Sequence, residues 1–183
     1  MDGAFLTLEE AARVAGHARW LEDRLFSVTG EWVAVEDDPA AKAVLSAHSL
    51  RHAWHAAVWR DRVPRVAHLD PDALTAPAGP DVAAFVDGLA AATTKEADGT
   101  RERMTLLGAL LRGLVADYRE RVARAHPLAD GPIVRWLGFV LADEIAALEE
   151  IDAVLAECPP GAELRRPPLE RGALLGVASP TGL

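Results

Sequence analysis

Val63-Pro64-Arg65-Val66-Ala67-His68-Leu69-Asp70-Pro71-Asp72-Ala73-Leu74-Thr75-Ala76-Pro77-Ala78-Gly79-Pro80 is the stretch on which the fold turns. Proline lacks a backbone donor and costs roughly 3 kcal/mol inside a helix, so this stretch reads as an irregular connection. Around it lie runs without internal proline, rich in Ala, Leu, Glu and Arg, at 7–36, 39–62, 100–125 and 131–157. Each reads as a helix. Thr7-Leu8-Glu9-Glu10 is a capping box, and Asp38-Pro39 sets an N-cap before a proline at the first helical position. Asp130-Gly131-Pro132 offers a similar start, and Thr100-Arg101-Glu102 opens the remaining run.

The connections are unequal. Glu36-Asp37-Asp38 joins the first two helices and His126 to Asp130 the last two, whereas the second and third are separated by the proline-rich stretch and a short amphipathic helix from Asp81 to Ala92. Short, long, short is the signature of a bundle whose middle connection crosses its full length. No segment alternates apolar and polar residues long enough for a strand, so the expected fold class is all-α. Residues 1–157 form the helical domain in this reading, and 158–183, rich in Pro, Gly and Arg, form a flexible C-terminal tail.

Composition narrows the function classes. The 183 residues carry a net charge of -9, from 19 Lys and Arg against 28 Asp and Glu, which argues against nucleic acid and anionic membrane as partners. The arginines of the third helix, Arg101, Arg103, Arg112, Arg119, Arg121 and Arg124, alternate with Glu102, Asp117 and Glu120, the pattern of a solvated face. Cys158 stands alone, so neither a disulfide framework nor a Cys-based zinc site is expected. No run approaches the roughly 18 apolar residues of a spanning helix, and no basic region precedes an apolar core at the N-terminus, so the expected location is cytoplasmic. Gly-x-Ser-x-Gly, His-Glu-x-x-His and phosphate-cradling Gly-rich patterns are absent from the sequence.

At about 100° per residue, each helix shows polar residues on its apolar side. Val14, Ala18, Leu21, Leu25, Phe26 and Trp32 form the first stripe, with Glu22 inside it. In Ala47-His48-Ser49-Leu50-Arg51-His52-Ala53-Trp54-His55, three histidines share a sector of about 60°. Met104, Leu107, Leu111, Leu114, Val115 and Val122 surround Tyr118 on the third helix. Val134, Leu137, Leu141, Ile145, Leu148, Ile151 and Leu155 form the last stripe, interrupted by Glu144 and Asp152. A carboxylate among leucines needs a partner. Inward glutamates and histidines from three helices are groups that one ion could satisfy together, and imidazole with carboxylate suits iron, manganese or zinc. Without metal, a Glu–His or Glu–Arg bond satisfies the same groups, with Arg51 in reach.

Glu22, the pair His52-Ala-Trp-His55, the long crossover and the run from Leu128 through Leu141-Ala-Asp-Glu-Ile together resemble the ferritin-like superfamily over residues 7–157. The resemblance implies a four-helix bundle with a long crossover between helices two and three. In its di-metal members, two helices each supply a glutamate and two a Glu-x-x-His. Here Glu22, His55 and Glu144 match. His52 replaces a glutamate, Ala147 stands where a histidine is expected, and Tyr118 fills the middle of the third helix. The resemblance therefore implies not a bridged pair of ions but one metal at Glu22, His52, His55 and Glu144, with Tyr118, Arg51 and His48 lining the pocket, or a polar cluster without metal.

Three functional expectations follow. An oxidoreductase- or hydroxylase-like protein would use a redox metal on oxygen or peroxide, with Tyr118 as hydrogen-bond donor or oxidisable group. A non-catalytic bundle would bind another protein or itself as a homo-oligomer through tryptophans such as Trp20 and Trp136, which fall off the core stripes. A small-molecule-binding bundle would use the same polar pocket.

Overall fold

The computed structural model describes residues 5–91, 99–159 and 172–176. They form six helices and, among the described residues, no strand: α1 (Leu8–Val35), α2 (Pro39–Arg60), α3 (Pro71–Leu74), α4 (Pro80–Ala90), α5 (Gly99–Ala123) and α6 (Gly131–Glu157). The four long helices fall where the proline gaps put them. The one-turn α3, capped by Asp70, lies inside the stretch read as irregular.

The start signals act as expected at α1 and α2. Thr7 and Glu10 close the capping box, and Asp38 accepts from Ala41 N ahead of Pro39. At α6 the local chemistry differs: Asp130 makes no cap bond, and its carboxylate accepts from His126 N at 2.8 Å, tightening the α5–α6 turn.

Contacts fix the directions of the long helices. Ser49 Oγ donates to the carbonyl of Phe26 and His52 meets Glu22, so α2 runs antiparallel to α1. His48 pairs with Glu150 and His55 with Asp143, so α6 runs antiparallel to α2. Arg101 reaches the carbonyls of Leu155 and Cys158, which makes α5 antiparallel to α6. Hence α2 and α5 point the same way, and residues 61–98 must cover the length between the end of one and the start of the other. Their described part runs along α1: Arg19 donates to Thr75 Oγ1 at 3.1 Å and Arg24 to Asp87 at 3.1 Å. Gly16 permits the approach, since a Cβ there would lie 2.2 Å from the Leu74 carbonyl oxygen.

The interior holds Leu21, Leu25 and Trp32 of α1, Leu45 and Trp59 of α2, Leu107, Leu111 and Leu114 of α5, and Leu137, Val140 and Ile151 of α6. Three expectations need correction. Phe26 and Ile145 face outward, because each lies a step round the helix from the buried Leu25 and Glu144. Asp152 is exposed and pairs with Arg112 at 2.7 Å rather than interrupting the core. Arg103 and Arg121, assigned to a solvated face, are buried; Arg103 donates to the buried Glu36 at 2.7 Å.

Trp20 packs against the core from its margin. Trp136 meets Trp54 and Phe139 in a partly exposed aromatic cluster, with the Arg62 guanidinium over its ring. Within the expected flexible tail, residues 172–176 are instead docked, with Leu174 and Leu175 buried. Residues 160–171, including Arg165 and Arg166, and 177–183 lie outside the described residues. Among the described residues no helix is long and apolar enough to cross a membrane.

Candidate metal centre

Helical periodicity delivers the polar residues to the interior. Glu22 lies on α1 between Ala18 and Leu25, each on the buried face. On α2, His48, His52 and His55 occupy the core positions between Leu45 and Trp59. Glu144 follows Val140 by four residues on α6, and Tyr118 follows Leu114 by four on α5. All six residues are at most 1% exposed.

Four of them meet. Glu22, His52, His55 and Glu144 each offer a donor atom, and these atoms lie within 4.8 Å of one another. His52 Nδ1 donates to Glu22 Oε2 at 2.7 Å and lies 3.8 Å from Glu144 Oε1. His55 Nδ1 is 3.5 Å from Glu22 Oε2 and 3.2 Å from Glu144 Oε1. The last pair is close but misaligned: His55 Nδ1 and Glu144 Oε1 are both buried without a hydrogen bond, as is His52 Nε2.

Outer contacts hold these donors in place. Tyr118 donates its hydroxyl hydrogen to Glu22 Oε1 at 2.5 Å and accepts from Trp59 Nε1 at 3.1 Å, its ring stacked on the indole. His55 Nε2 donates to Asp143 Oδ2 at 3.2 Å, which directs Nδ1 at the two glutamates. Asp143 is half-exposed and links the buried imidazole to solvent. Sequence periodicity alone passes over Asp143, since it lies off the α6 stripe; its one signal is that it directly precedes a core glutamate.

The charges are strongly coupled. Burial pushes the Glu22 carboxyl up, but the nearby His55 charge and the hydrogen bond from His52 outweigh it and hold it at about 2. Burial pulls His55 down, but the Glu22 charge and the nearby Glu144 raise it to about 11. Burial first, and then the Glu22 charge, pushes the Tyr118 phenol well above its usual 10. Without an ion, the cluster is a Glu22 carboxylate–His55 imidazolium pair with Glu144 Oε1 3.2 Å from the imidazolium.

His48 and Arg51 do not join the cluster. Arg51 grips Glu150 through two nitrogens at 2.8 and 2.7 Å, and His48 Nε2 donates to the same carboxylate at 3.2 Å. Both were expected to line the pocket; Glu150, at the edge of α6 and half-exposed, draws them aside. Burial, the neighbouring His52 and Arg51 lower His48 to about 4, so it is neutral at pH 7.

A cavity of about 420 Å³ lies elsewhere, among Asp38, Thr100, Arg101 and Cys158. Asp38 is fourteen residues before His52, about 20 Å along α2. The Arg101 guanidinium there is bound to the carbonyls of Cys158 and Pro159. The Glu22, His52, His55 and Glu144 cluster is separate from this cavity. No family model, curated protein or solved structure matches the chain.

Proposed function

We propose that the protein is a ferritin-like helical bundle that holds a single transition-metal ion at Glu22, His52, His55 and Glu144. The observation that carries this reading is the pair His55 Nδ1 and Glu144 Oε1, buried, unbonded and 3.2 Å apart, facing His52 Nδ1 and Glu22 Oε2. Ligands about 2.0–2.2 Å from one ion lie roughly 3–4 Å from each other. The separations of 3.2, 3.5 and 3.8 Å fall in that span. The 2.7 Å His52–Glu22 contact is a hydrogen bond whose proton an ion would displace.

Charge supports the same reading. Two carboxylates and two neutral imidazoles balance one divalent cation, whereas without it the second carboxylate lacks a full partner. Iron, manganese and zinc all suit this donor set. A bound ion with an open position supplies Lewis-acid or, for iron or manganese, redox chemistry. The chain's own residues orient the donors: Asp143 fixes the His55 ring, and Tyr118 with Trp59 fixes Glu22. The parallel α2 and α5 joined by a long connection accord with the ferritin-like topology.

Elemental analysis after chelator-free purification and after reconstitution tests the reading. About one equivalent is expected, lost in Glu22→Ala and His55→Ala. Less than a tenth of an equivalent under both conditions refutes it. A second reading, a metal-free bundle that associates with itself, draws on the exposed Phe139 and Trp54 beside Trp136. Monomer throughout the micromolar range in sedimentation would remove self-association.

A further inference from the structure

Residues 172–176 are gripped by two helices at once. Gly172 N and Leu175 N donate to the two oxygens of the buried Asp117 carboxylate on α5, at 2.7 and 3.1 Å. His17 Nδ1 on α1 meets the Leu175 carbonyl at 3.1 Å. Gly113 leaves room for Leu174, since a Cβ there would lie 3.1 Å from Leu174 Cδ1. Gly176 turns away at φ +64°, a left-handed conformation that suits glycine.

The same two helices carry the Tyr118–Glu22 bond. Asp117 directly precedes Tyr118, and His17 lies five residues before Glu22, about 7.5 Å along α1. Further along, α4 contacts both α1 and α5. Gly176 abuts Ala78, just before α4, where an added Cβ would be 3.6 Å from the alanine's. The seam between α1 and α5 is thus covered by α4 over one stretch and by residues 172–176 over the next. A cavity of about 180 Å³ lined by Val14, His17, Leu175 and Gly176 opens beside them.

We propose that residues 172–176 are a latch on the α1–α5 seam whose opening sets how fast an ion enters and leaves the Glu22, His52, His55 and Glu144 cluster; this rests on the metal reading above. Two amides on one carboxylate and two leucines hold the latch, so it can open locally while the long helices remain folded.

The test uses full-length protein loaded with cobalt(II) as a spectroscopic probe and mixed with excess chelator. Wild type is compared with Asp117→Asn, which removes the charge that both amides share, and with the double variant Leu174→Ala, Leu175→Ala. Losing a charge-assisted hydrogen bond raises the open population roughly tenfold or more. Cobalt release should accelerate by about that factor, with an unchanged cobalt spectrum and faster hydrogen exchange at 172–176. Faster exchange with unchanged release in both variants overturns the latch alone. Amides at Gly172 and Leu175 that are unprotected in wild type overturn the docking. Wild-type protein that binds no cobalt refutes the metal reading, and this proposal falls with it.

Discussion

Glu144→Gln separates a metal site from a metal-free ionic network by the size of its effect. Glu144 Oε1 is buried without a hydrogen bond, its nearest partners being His55 Nδ1 at 3.2 Å, misaligned, and His52 Nδ1 at 3.8 Å. Glu22, by contrast, already accepts from His52 and Tyr118. If Glu144 is there for an ion, its Oε1 is left without a hydrogen bond in the empty site at a cost of about 1–3 kcal/mol, offset in part by the His55 charge beside it. Glutamine keeps the shape and removes both the unsatisfied charge and its attraction for His55, so in chelated buffer the variant should stay within about 1 kcal/mol of wild type. The gain from an ion should disappear. An ion at a hundred times its Kd stabilises the native state by about 2.7 kcal/mol. For a chain of this size that is a rise in Tm of about 5–10 °C. Urea and thermal unfolding with and without the ion measure both quantities. A loss of about 3–5 kcal/mol in chelated buffer is the signature of a broken buried ion pair and would refute the reasoning.

Other perturbations probe the surrounding groups. Tyr118→Phe deletes the hydroxyl that bonds Glu22 Oε1 and receives Trp59 Nε1, and should cost about 3 kcal/mol in urea unfolding; a change below about 1 kcal/mol would mean the bridge adds little. His48 is lowered from 6.5 to about 4 in the folded chain, so the unfolded state binds more protons between those values. Its contribution to stability is present above pH 6.5 and is lost as pH falls toward 4, by about 3 kcal/mol; His48→Gln should flatten that part of the pH profile relative to wild type, and parallel profiles would contradict the assignment. Gly16→Ala drives a methyl group against the Leu74 carbonyl and should cost about 1–3 kcal/mol, read as a lower urea midpoint, while an unchanged midpoint would mean that α3 yields freely.

The parts of this molecule that repeat with the helical period were open to sequence reading, and those that depend on contact between distant segments were not. The long helices follow from proline spacing and from caps such as Thr7 and Asp38. Glu22, His52, His55 and Glu144 are legible because each replaces an apolar residue at a core position. Asp143 and Glu150 escaped the same logic. They sit at the rim of α6 and reach inward by side-chain length, which angular position does not encode. Arg103 reads as one of many alternating charges, and only its partner Glu36, 67 residues away, makes it an interior residue. The docking of 172–176 rests on backbone amides meeting Asp117, and backbone donors carry no residue signature.

The number of ions follows from which charges are already matched. Glu150 is the carboxylate nearest in kind to a second set of ligands, and Arg51 neutralises it through two nitrogens while His48 occupies one of its oxygens. Asp143 is committed to His55, and α5 turns a phenol inward in place of a carboxylate. Among the described residues only Glu22, His52, His55 and Glu144 form a group of three or more potential ligands that meet. On the metal reading, one divalent ion therefore cancels the two cluster glutamates and leaves no anionic donor for another. Reconstituted protein should saturate near one equivalent, and Arg51→Ala should leave that value unchanged while freeing Glu150. Saturation of wild type at two equivalents would overturn the single-ion assignment, and loss of the second equivalent in Glu150→Gln would place that ion at Glu150.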